Sequence, residues 1–117
     1  MLRSASLLAG LLLVLLAVPT ASSAASCSVR GQERRLGPTY TTSLSVTKVS
    51  CTAGKRLVRA YYKCRVASGG KDGRCRRRVS GYACTEKRST GIPTQFDARV
   101  TCRSGSRRIV HTYTQNT

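Results

Sequence analysis

The sequence predicts a small α+β domain, one helix packed on an antiparallel sheet in the order βαβββ and stapled by disulfides. Three observations predict it. Apolar residues recur at helical spacing after Ser50, apolar and polar residues alternate in the segments on either side, and six cysteines are spaced at least nine positions apart. That spacing lacks the short thiolate pairs that hold zinc, so no metal site is expected, and no motif calls for a cofactor.

The N-terminal segment lies outside this domain. Arg3 is followed by an apolar run from Leu7 through Val18 and then by small residues from Thr20 to Ser26, the three-part pattern of a secretory signal peptide. The run is short for a bilayer span. Cleavage after Ala24 or Ala25 is expected, giving a signal peptide over residues 1–25, a polar arm over 26–38 tethered by Cys27, and a single disulfide-braced domain over 39–117. Ala24-Ala25-Ser26-Cys27 faintly resembles a lipobox, but the branched apolar residue is missing, and lipidating Cys27 would leave five cysteines and strand one thiol. The chain therefore reads as a secreted protein with no transmembrane segment once the signal is removed.

The mature chain would have 92 residues, one Phe and no Trp. A core of that size is marginal, and cross-links are the expected remedy. Thr39 to Ser50 alternates, with Tyr40, Leu44, Val46 and Val49 among Thr and Ser, and reads as a strand. Ser50 suits a helix N-cap, after which Ala53, Leu57, Ala60, Tyr61 and Cys64 share one face while Lys55, Arg56, Arg59 and Lys63 occupy the rest. Gly69 and Gly70 end the helix, and Lys71-Asp72-Gly73 with the neighbouring arginines predicts a mobile basic loop.

Three strands follow, from Val79 to Lys87, Gln95 to Arg103 and Arg107 to Gln115. Gly91-Ile92-Pro93 breaks the first connection, and Gly105-Ser106 fits a two-residue hairpin. Counting outward from that hairpin sets Ser104 against Arg107, Cys102 against Ile109 and Val100 against His111. Cys64–Cys75 would close the loop after the helix, and Cys84–Cys102 would join adjacent strands. Cys27–Cys51 remains by elimination, although Cys51 at the helix start could equally reach Cys84 or Cys102.

The stretches Val49-Ser50-Cys51, Ala60-Tyr61-Tyr62-Lys63-Cys64, Gly81-Tyr82-Ala83-Cys84 and Arg99-Val100-Thr101-Cys102-Arg103-Ser104-Gly105 resemble small secreted basic six-cysteine proteins of high-GC actinobacteria. The resemblance implies a fold and a compartment, and no activity.

Charge is the most extreme property of the chain. Removing Arg3 with the signal leaves twenty basic side chains against Glu33, Asp72, Glu86 and Asp97, a formal charge of +16. Such a surface attracts polyanions and also serves solubility. The basic clusters are Arg34-Arg35, Arg74 with Arg76-Arg77-Arg78, and Arg103 with Arg107-Arg108; guanidinium forks suit phosphate or carboxylate oxygens. Tyr61, Tyr62, Tyr82 and Phe96 are the aromatics that could stack on bases, too few for a recognised nucleic-acid module.

Catalytic signals are sparse. Gly-x-Ser-x-Gly is absent, and Glu86 with His111 is the one acid–base pairing that the register supports. With Cys84 opposite Cys102, Glu86 faces Val100, whose other neighbour is His111; this puts the pair on one sheet face, about 10 Å apart between backbones. The expected function is thus a non-catalytic binding module for polyanions, either nucleic acid or an acidic envelope polymer. The alternatives are a ribonuclease-like enzyme using Glu86 and His111, and a disulfide-rich inhibitor or structural protein presenting loop 68–78 or 90–94.

Overall fold

A computed structural model describes residues 10, 12–15, 23–89 and 91–117. The signal peptide expected over residues 1–25 falls largely outside this set, as does Thr90 of the loop 90–94. One helix packs on a five-stranded antiparallel sheet of strand order β1-β2-β5-β4-β3, with β1 Ala25–Cys27, β2 Tyr40–Thr47, α1 Cys51–Gly69, β3 Ala83–Arg88, β4 Gln95–Ser104 and β5 Arg107–Asn116. The expected strand, helix and three-strand meander are all present. The additional strand, β1, pairs with β2 through Cys27 opposite Leu44. The segment expected as a polar arm is therefore partly built into the fold, and Leu36 within it is fully buried in the core.

Local chemistry explains where the elements start and stop. Ser50 is extended and its hydroxyl accepts a hydrogen bond from the Ala53 amide at 3.1 Å, which caps α1. Gly70, at φ +72°, lets the chain leave the helix while its own amide donates to the Val66 carbonyl. Gly54 meets the sheet so closely that a Cβ there would lie 2.8 Å from a Val46 methyl. The buried stripe of α1 runs through Gly54, Leu57, Val58, Tyr61, Cys64 and Arg65, one position round from the stripe read in the sequence. It packs on Leu44, Val46, Ala98, Val100, Ile109 and Tyr113.

Two local features shift the expected pattern. A bulge between Thr41 and Ser43 places two β2 residues opposite one on β5, so Thr41 turns into the core and Tyr40 turns out to 40% exposure. β3 begins at Ala83 rather than Val79, because Ser80 and Gly81 both take positive φ and close a tight turn in which Val79 and Tyr82 exchange backbone hydrogen bonds. The C-terminal hairpin has the expected register, with Ser104 opposite Arg107 and Cys102 opposite Ile109. The three disulfides are Cys27–Cys51, Cys64–Cys75 and Cys84–Cys102, and no free cysteine remains.

Candidate functional site

The sheet pleat sorts the chemistry into two faces. On the face under α1, Glu86 lies opposite Val100 and Val100 opposite His111, as the register requires. Glu86 is nearly sealed, with 5% of its side chain exposed, and Arg88 Nε donates to its Oε2 at 2.6 Å. Arg74 reaches the same oxygen at 3.6 Å, and the Tyr113 hydroxyl donates to Oε1. Arg65 is fully buried beside them, donating to the Lys71 carbonyl at 2.8 Å and to Gln115 Oε1 at 3.0 Å, with its guanidinium 4.6 Å from the Tyr113 ring centre. Arg88 also donates to the Asp72 and Gly73 carbonyls and lies over Phe96.

These contacts reverse one expectation. The loop after α1 is tied to the fold rather than free: the 3-10 turn Gly70–Asp72 and Gly73 are held by Arg65, Arg88 and the Cys64–Cys75 bridge. Burial and the neighbouring Glu86 charge raise the ionisation of the Tyr61 and Tyr113 hydroxyls well above the ordinary tyrosine range. Both rings therefore stay neutral and act as donors and packing surfaces.

His111 shares the face with Glu86 but has no exposed surface. It packs edge-on to Tyr61 and stacks on Tyr113, and neither ring nitrogen has a hydrogen-bond partner among the described residues. Burial, with the Arg65 charge adding to it, pushes its pKa down to about 3. A group sealed under a helix cannot reach a phosphodiester, so Glu86 and His111 form a structural cluster rather than an acid–base site. The sequence placed both residues on the face that also carries Cys102 and Ile109, which marks it as the face that meets the helix, and α1 closes over it.

The arginine clusters divide differently from their order in the chain. Arg74 is committed to Glu86. Arg76, Arg77 and Arg78 are exposed and line a shallow cleft of about 200 Å³ with Cys75, Ala83 and Cys84. Ala83 is the register partner of Arg103, and Arg103 that of Arg108, so Arg103 and Arg108 stand side by side on the open face, and the cleft of Arg76, Arg77 and Arg78 adjoins that row at Ala83 on the edge strand β3. Arg107 turns the other way and lies 5.9 Å from the Tyr82 ring centre. Arg35 sits in the turn before β2, where its carbonyl accepts from Arg59. Among the described residues the only ion pairs are those of Arg74 and Arg88 with Glu86.

The stacking candidates are mostly spent in the core. Tyr61 and Tyr82 are buried, and Phe96 and Tyr62 are half-buried under arginines. The aromatic that does reach solvent is Tyr40, exposed by the bulge. A concavity of about 420 Å³ lies on the open face between Lys87, Arg99, Asp97, Thr112 and Thr114. None of these was singled out from the sequence, although alternation along β4 and β5 would have put Asp97, Arg99 and Thr112 on the same side as Arg103. No group of three or more His, Cys, Asp or Glu residues suited to a metal occurs among the described residues. Comparison with protein-family models, with curated proteins and with solved structures gives no match for this chain.

Proposed function

We propose that the domain is exported and binds anionic polymers through the open face of its sheet, with little sequence preference. The observation that carries this reading is the Arg103–Arg108 pair, two cations directly opposite on neighbouring strands with no acid in ion-pair reach among the described residues. Like charges in directly paired positions destabilise a sheet, and an anion lying between them removes that penalty. With few exposed aromatics, contact falls on charged groups rather than on bases. Three disulfides suit an oxidising compartment. Export is further supported by Leu12 to Leu15, which stay exposed and add nothing to the core, and no helix among the described residues is long and apolar enough to cross a membrane.

The test is a salt titration of binding to duplex DNA. If six to ten phosphates are contacted, affinity falls by roughly a thousandfold or more between about 50 and 200 mM salt. Replacing Arg103 and Arg108 by Gln should reduce the slope of log affinity against log salt by about two. An unchanged slope removes these residues from the contact, and binding of neither DNA nor an acidic polysaccharide at low salt ends the proposal. The clamped loop 68–78 favours a rigid-loop inhibitor as the second reading, recognisable because protease inhibition would survive high salt.

A further inference from the structure

The open face carries a pattern more specific than a basic surface. Along β4 the outward residues are Arg103, Thr101, Arg99 and Asp97, and the first three pair with Ala83, Thr85 and Lys87 of β3. Arg103 with Arg108 makes one cross-strand cation pair, and Arg99 with Lys87 makes a second. The two pairs stand four residues apart on β4, roughly 13 Å, with the hydroxyls of Thr85 and Thr101 between them. Beyond the second pair the row ends on Asp97, whose carboxylate accepts from the Thr114 hydroxyl.

We infer that this face is a track for an acidic polysaccharide: the cation pairs take carboxylates, Thr85 and Thr101 bond sugar hydroxyls between them, and Asp97 accepts from a further hydroxyl. The inference rests on the polyanion reading and narrows it. Charge density separates this ligand from nucleic acid. A DNA duplex carries one charge per about 1.7 Å of axis, about eight over the distance between the two pairs, and would press phosphates against Asp97. A polymer with sparse carboxylates and many hydroxyls matches both the spacing and the acid. Tyr40, on the row of Thr114 and Asp97, is a single aromatic and cannot stack successive bases.

Asp97 makes the test a matter of sign. On charge alone, removing a carboxylate strengthens binding to every polyanion; on the track, it weakens binding to the polysaccharide. Binding of the disulfide-intact protein to polygalacturonate, duplex DNA and neutral dextran is measured at about 150 mM salt. Asp97→Ala should weaken polygalacturonate binding about tenfold and Asp97→Asn, which keeps the side-chain shape, about threefold, while DNA binding is unchanged or stronger. Thr101→Val, nearly isosteric, should cost about threefold with polygalacturonate and nothing with DNA. If the Asp97 variants strengthen both polymers alike, or if polygalacturonate binds no better than dextran while DNA binds, the track is overturned and the polyanion reading survives. If no polymer binds even at low salt, both fall.

Discussion

On the face under α1, Arg65 and Arg88 are held by carboxylate, amide and carbonyl oxygens and by aromatic rings; on the open face, Lys87, Arg99, Arg103 and Arg108 stand in two like-charge pairs with no acid in ion-pair reach. The same residue types thus brace the fold on one side and stand without an acid on the other, where Lys87, Arg99 and Arg103 are exposed and Arg108 is half-buried with its Nε unpartnered among the described residues. Burial makes the difference. A guanidinium taken out of water has to be met by acceptors, whereas an exposed one keeps its hydration and costs little. Net charge alone therefore says little about which arginines can meet a partner, and the side of the pleat says a great deal.

The contrast is broken most severely at Glu86. Replacing it with Ala leaves Arg88, Arg74 and the Tyr113 hydroxyl without their shared acceptor, and stability measured by urea unfolding should fall by about 3–5 kcal/mol. A loss below about 1 kcal/mol would mean that the cluster is not a buried ionic network. Next in size is the Cys64–Cys75 bridge. Replacing both cysteines with Ala should cost about 3 kcal/mol from the freed loop, while amide exchange in Gly70 to Gly73 shows whether Arg65 and Arg88 hold that loop unaided.

His111 tests the covered face through pH. Above about pH 6.5 the imidazole is neutral in the folded and the unfolded chain alike, and its contribution to stability is fully present. As pH falls, the unfolded chain takes up a proton that the folded one refuses. Stability should then decline by roughly 1.4 kcal/mol per pH unit until the folded pKa of about 3 is reached. His111→Phe keeps a ring against Tyr61 and Tyr113, removes two unpartnered nitrogens, and should flatten this part of the pH profile of thermal unfolding. The smallest effect belongs to the exposed arginines before β3. Changing Arg76, Arg77 and Arg78 together to Gln should move unfolding stability by less than about 0.5 kcal/mol while weakening DNA binding at low salt.

Much of this architecture was legible in the chain because it rests on local rules. Ser50 caps α1, Gly69 and Gly70 end it, and Gly105-Ser106 sets the hairpin, from which the facing of Cys102, Ile109, Val100 and His111 follows by counting. Of the expected disulfides, Cys64–Cys75 follows from the end of the helix and Cys84–Cys102 from the pairing of β3 with β4, whereas Cys27–Cys51, reached by elimination, depends on the unexpected strand β1. Ser80-Gly81 was a turn signal as strong as the hairpin's, but it lay inside an apolar alternation and was absorbed into a strand.

The sequence by itself determined the helix, the C-terminal hairpin and the basicity, which depend on neighbours along the chain. Only the tertiary structure decided which charges are usable. Arg65 looks like any polar helix residue until α1 is docked, and how fully His111 is sealed is known only once Tyr61 packs against it. Arg103, Arg107 and Arg108 form one cluster in sequence and two in space. Burial and cross-strand pairing are set by segments distant in the chain, and a residue's solvation, which fixes whether its charge is structural or free to bind, is known only when those segments meet.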